Sequence, residues 1–153
     1  MKISLLLIGK TEEAHLQTGI KIYQTRLTRY MDFSITEIPE LKNTKNLSEK
    51  EIKRKEAELI LKKISDKDFV ILLDEKGKDY SSVEFSKFLD KQNKPITFIV
   101  GGAYGFDETI YKRANGMISL SKMTFTHQMI RLIIVEQLYR AMTILNGEPY
   151  HHS

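Results

Sequence analysis

Five short apolar runs alternate with helix-patterned segments along this chain, and that alternation leaves few folds open. Lys2–Gly9, Phe69–Leu73 and Pro95–Val100 are continuously apolar rather than alternating. Continuous runs of this length belong to strands covered on both faces, as in a parallel sheet. Phe33–Ile38, stopped by Pro39, and Met117–Leu120 complete the set. Between the runs lie stretches with helical spacing. Glu12–Met31 carries Ile20, Tyr23, Leu27 and Tyr30 on one face, with Thr11 placed to cap it. Ser48 with Glu51 and Ser81 with Glu84 are capping-box signatures, opening helices to about Ile64 and Gln92. Asp107 caps a short helix to about Asn115, and a last helix spans Thr126–Leu145, stopped by Asn146-Gly147. The expectation is an α/β fold, a mainly parallel sheet with helices on both faces, forming one domain over residues 1–153.

The composition narrows the setting. A chain 41% hydrophobic and 29% charged is expected to be globular and soluble. The apolar run at Ile3–Ile8 is too short for a signal peptide, and no run reaches membrane-spanning length. The absence of cysteine excludes a disulfide framework and a thiolate zinc site, which suits the cytoplasm. A net charge of +4 is compatible with a nucleic-acid partner. The helix from Ser48 carries Lys50, Lys53, Arg54, Lys55, Lys62 and Lys63. They either form a solvated face balanced by Glu49, Glu51, Glu56 and Glu58, or meet phosphates.

In parallel sheets ligands bind beyond the carboxyl ends of the strands. Three of those ends carry unusual loops here: Asp74–Lys78 after Leu73, the glycine loop Gly101–Phe106 after Val100, and a hydroxyl-rich stretch after Leu120. Gly101, Gly102 and Gly105 have the wrong spacing for a dinucleotide fingerprint, and no phosphate-loop motif occurs. Glycines at a strand end either let a flat ligand approach the backbone or simply make a tight turn. In the third stretch Ser119, Ser121, Thr124 and Thr126 are set to bond nearby backbone and shape a loop. His127 and Arg131 follow, four apart on one helical face. His15, His127, His151 and His152 lack metal-ligand spacing, so no metal is expected. The last helix is apolar all round, which calls for cover from the sheet and from a second subunit. Its Glu136 and Arg140 either pair with each other or serve a ligand; Arg131 and Arg140 are candidates to meet a phosphate.

Val100–Gly105, Ser119–Gln128, Glu136–Ala141 and the ending Pro149-Tyr150-His151 together resemble the ribosomal RNA large subunit methyltransferase H family, small members of the SPOUT methyltransferases. The resemblance runs from Met1-Lys2-Ile3 and Gly9-Lys10 to the end of the chain. It implies a trefoil knot near the carboxyl end, S-adenosyl-L-methionine as cofactor, and a homodimer. The implied reaction is methyl transfer to N3 of a pseudouridine in a 23S rRNA stem-loop on assembled ribosomes. By motif position Leu73, Gly101, Gly102, Leu120, Ser121, Lys122, Met123, Thr124 and Phe125 would hold the cofactor. The N3 proton must leave, and a neutral histidine could take it, with His127 and His151 the candidates and Tyr150 a candidate orienter. Arg131 and Arg140 would steady a phosphate or charge on the base. The alternatives are a ribosome-binding protein without catalysis and a SPOUT enzyme acting on tRNA.

Overall fold

The computed structural model describes residues 1–152. Five parallel strands, β1 (Lys2–Ile8), β2 (Asp32–Ile38), β3 (Phe69–Asp79), β4 (Ile96–Val100) and β5 (Gly116–Ser119), form one sheet in the order β2-β1-β4-β3-β5. The continuous apolar runs have a simple cause. Along β1, Ile3, Leu5 and Leu7 face one core while Leu6 and Ile8 face the other, and all five are buried. Successive side chains of a strand point to opposite faces, so two covered faces require an unbroken apolar run. Helices α1 (Ala14–Leu27), α3 (Ser82–Asp90) and α5 (Met129–Leu145) cover the first face, and α2 (Glu49–Lys63) and α4 (Glu108–Arg113) cover the second.

Local signals set most helix starts. Ser48 Oγ accepts from the Glu51 amide at 3.1 Å, and the Glu51 carboxylate accepts from the Ser48 amide at 3.4 Å. Ser81 and Glu84 repeat the box at 3.1 and 2.8 Å, and Asp107 caps α4 through the Thr109 amide at 3.0 Å. Each such cap contributes about 1 kcal/mol.

Three expectations are corrected. Thr11 does not cap α1, whose first residue is Ala14 after an uncapped Glu13; the Thr11 hydroxyl instead accepts from Arg131. Strand β3 does not end at Leu73. It loops out and pairs with β5 a second time, Lys78 opposite Ile118 and Asp79 opposite Ser119. Gly77 permits this, because a Cβ there would lie 2.6 Å from the Ile118 backbone. Finally, α5 begins at Met129 rather than Thr126, with the Thr126 hydroxyl accepting from the Met129 amide at 3.1 Å. The apolar surround of α5 is only partly met within one chain. Ile134, Val135, Leu138, Ala141 and Met142 are buried, whereas Ile130, Leu132, Ile133, Ile144 and Leu145 are half-covered.

Candidate cofactor and substrate site

The looped-out middle of β3 and the carboxyl ends of β4 and β5 enclose an open cavity of about 690 Å³. It is lined by Leu73–Lys76, Val100–Phe106, Ile118–Ser121 and Met123–His127, together with Tyr111 and Ile130. Its size suits a nucleoside-sized ligand. Val100, Phe106 and Ile118 supply buried apolar surface, and the three loops bring backbone polar groups to the rim.

Each wall has a local explanation. In the glycine loop, Gly105 donates its amide to the Gly102 carbonyl at 3.2 Å and adopts φ +82°, a left-handed turn suited to glycine. The Phe106 ring folds beneath Gly101, where an added Cβ would sit 3.1 Å from its edge. In the third loop, Ser119 donates its hydroxyl to the Ser121 carbonyl at 2.9 Å, and Ser121 Oγ accepts from the Met123 amide at 2.9 Å. This is the hydroxyl-to-backbone shaping that the sequence suggested.

The residues expected to hold a cofactor thus gather around one space: Leu73, Gly101, Gly102, Leu120, Ser121, Met123, Thr124 and Phe125. Lys122 departs from that set. The Ser121 turn leaves its side chain exposed and outside the cavity lining.

The residues expected to act on substrate do not gather. His127 lines the cavity and is exposed. Arg131 turns the other way and is 1% exposed. Its Nη2 donates to the Ile8 carbonyl at 2.7 Å, and its Nη1 donates to the Gly9 carbonyl at 3.0 Å and to Thr11 Oγ1 at 3.1 Å. Only Nε lacks a partner among the described residues. Burial pushes the guanidinium below its ordinary pKa, opposed by Glu37, Glu12 and Glu40. In this structure Arg131 is committed to the end of β1 and is not open to a phosphate. Gln128 stitches the same junction, accepting from the Glu12 amide at 2.9 Å and donating to the Lys10 carbonyl at 3.1 Å.

Arg140, Tyr150 and His151 form a third group. Arg140 donates to Glu136 Oε1 through Nε at 3.0 Å and Nη2 at 2.7 Å, the pairing alternative left open by the sequence. Tyr150 donates to the same oxygen at 3.1 Å. Arg140 Nη1 reaches His151 Nδ1 at 3.1 Å. A guanidinium can only donate, so His151 in this contact is a neutral imidazole with its proton on Nε2. Burial, with Tyr23 and Glu136, raises the Tyr150 pKa far above the usual phenol value, and the Glu136 bond raises that of Arg140. Ten residues of α5 separate Ile130 from Arg140, about 15 Å at the helical rise. Within one chain, then, the tail group stands away from the cavity.

Two lining residues were not among the expected site residues, although Asp74 opens the loop after Leu73 that the sequence singled out. Asp74 Oδ2 accepts from the Tyr111 hydroxyl at 2.7 Å, and Asp74 Oδ1 accepts from the Lys76 amide at 2.8 Å. Burial and then the Asp74 carboxylate push the Tyr111 pKa up to about 12. No motif links positions so far apart in sequence. Among the described residues no group of three histidine, aspartate or glutamate side chains is placed to hold a metal ion, and no helix is long and apolar enough to cross a membrane.

The cavity is walled by segments of three consecutive parallel strands, and residues 1–151 match the family profile described as Predicted SPOUT methyltransferase. The chain belongs to the SPOUT methyltransferase family. It is a methyltransferase, and its reaction needs a methyl donor. Among relatives, it is 56% identical over 156 residues to the ribosomal RNA large subunit methyltransferase H of Parabacteroides distasonis, covering 99% of each chain. It is 54% identical, with the same coverage, to the protein of that name from Christiangramia forsetii. Among solved structures, the tRNA (m1G37) methyltransferase from Aquifex aeolicus superposes with a TM-score of 0.58 at 14% identity, over 100% of this chain and 76% of that one. That last likeness speaks for the fold alone.

Proposed function

We propose that the chain methylates N3 of a pseudouridine in a 23S rRNA stem-loop on assembled ribosomes in the cytoplasm, with S-adenosyl-L-methionine as donor. The observation that carries this reading is the cavity of about 690 Å³, walled by the segments that the family resemblance assigns to the cofactor. When bound, S-adenosyl-L-methionine supplies a methyl group already activated on a sulfonium. The residues present fit such a group. Val100, Phe106, Ile118 and Leu120 offer apolar surface for adenine, while the Gly101–Gly102 and Leu120–Phe125 backbones offer donors and acceptors to its edges. The protein's remaining tasks are alignment, exclusion of water and removal of the N3 proton. His127 is the better placed base, since it lines the cavity, whereas the Nδ1 lone pair of His151 is occupied by Arg140.

The protein acts as a homodimer in this reading, with the deep knot of the family in its carboxyl-terminal part. Half-covered apolar residues on α5 offer the interface. Arg140, Tyr150 and His151, too far from their own cavity, would serve that of the partner. Family-level sequence similarity to relatives named for large-subunit rRNA supports the ribosomal target.

The test is a modification map of RNA from cells lacking the gene. The reading expects one methylated pseudouridine of 23S rRNA to disappear and to return with the wild-type gene but not with His127→Ala. A loss seen instead in tRNA would redirect the enzyme to that substrate. An unchanged map with retained ribosome binding would make it a binding protein.

A further inference from the structure

Asp74 sits on the looped-out part of β3, in the wall of the cavity. Its carboxylate is held from two sides, by the Lys76 amide at 2.8 Å on its own loop and by the Tyr111 hydroxyl at 2.7 Å from α4. Tyr111 is steadied in turn by an edge-on contact with Phe106, ring centroids 5.8 Å apart at 84°. With a pKa near 12 the phenol keeps its proton throughout the physiological range and remains a donor. Two donated bonds leave each carboxylate oxygen a free lone pair. Among the described residues Asp74 has no ion-pair partner, although Lys76 lies two positions on. Of the charged side chains lining the cavity, Glu75 and Lys76 are exposed and free to swing, whereas Asp74 is half-buried and fixed.

We propose that Asp74, positioned by Tyr111, is an anionic selectivity element that makes the cavity bind a cationic sulfonium donor more tightly than its neutral thioether product. The proposal rests on S-adenosyl-L-methionine being the donor. Donor and product share adenine, ribose and the amino-acid moiety and differ by one methyl group and one positive charge at sulfur. Hydrogen bonds to the shared parts cannot separate them; a fixed charge can. A sulfonium held in this cavity would have Asp74 in its wall, at a separation taken as about 10 Å. At an effective dielectric of about 20, a unit charge at that distance changes affinity on the order of tenfold. The consequence is that the site empties after each transfer rather than filling with product.

Calorimetry with S-adenosyl-L-methionine and S-adenosylhomocysteine, on the wild type, Asp74→Asn and Tyr111→Phe, tests it. Asparagine keeps the shape and the Lys76 contact but removes the charge. Asp74→Asn is expected to weaken the donor about tenfold and the product less than about twofold, with Tyr111→Phe shifting the ratio the same way by a smaller factor. On the wild type itself, the donor-to-product preference should shrink as salt rises. Equal weakening of both ligands, or a salt-independent preference, would overturn the selectivity role and leave the cofactor assignment standing. If the wild type binds neither ligand, with or without ribosomes, the cofactor assignment fails and this inference falls with it.

Discussion

Replacing Arg131 with methionine separates two roles that the sequence left indistinguishable. The side chain is 1% exposed and donates three hydrogen bonds, to the Ile8 and Gly9 carbonyls and to Thr11 Oγ1. Methionine preserves much of the aliphatic volume and removes every donor. Bonds from a charged group contribute about 1.5–3 kcal/mol each when counted singly. They are not additive, and removing the buried charge returns part of its desolvation cost. The expected net loss is about 3 kcal/mol, at the level of breaking a buried charged network. For a chain of this length that lowers the melting temperature by roughly 6–12 °C. Urea unfolding followed by far-UV circular dichroism should show a lower midpoint with an unchanged slope. Arg131→Lys should recover a minority of the loss, because one ammonium cannot span acceptors that a guanidinium fork reaches together. The reasoning fails if Arg131→Met unfolds within about 0.5 kcal/mol of wild type while binding to ribosomes falls sharply. That outcome would return Arg131 to a phosphate.

Two further perturbations probe positions just behind the cavity lining, Glu56 against Gly102 and Gly77 after Lys76. Burial and the neighbouring Glu40 raise the Glu56 pKa, so the folded protein holds a proton that the unfolded chain releases more readily. Stability from this group is present below about pH 4.5 and is lost as pH rises through the raised folded value; Glu56→Gln should therefore be more stable than wild type at pH 7, the advantage vanishing in acid. Urea midpoints measured at pH 4 and pH 7 check the sign. Gly77→Ala should cost about 2 kcal/mol or more, since its methyl would lie 2.6 Å from backbone atoms of Ile118 that cannot move without breaking the second β3–β5 pairing. An alanine variant as stable as wild type by thermal melting would show that this pairing is loose.

The continuous apolar runs and the paired capping residues determined the strands, the parallel sheet and most helix starts. They could do so because each rests on rules acting within a few residues: two covered faces demand unbroken hydrophobicity, and a cap reaches three positions. The same local logic located the three loops that wall the cavity. Tertiary structure alone decided which side chains face that cavity. Arg131 turns inward onto the Gly9 and Ile8 carbonyls at the end of β1, 122 and 123 positions away. Asp74 becomes a fixed charge because Tyr111, 37 positions on, folds over it. His127 is separated from Arg140, Tyr150 and His151 by the length of α5, a distance fixed once the helix forms. Such choices depend on acceptors and charges brought together by the sheet order, and no spacing along the chain encodes that order.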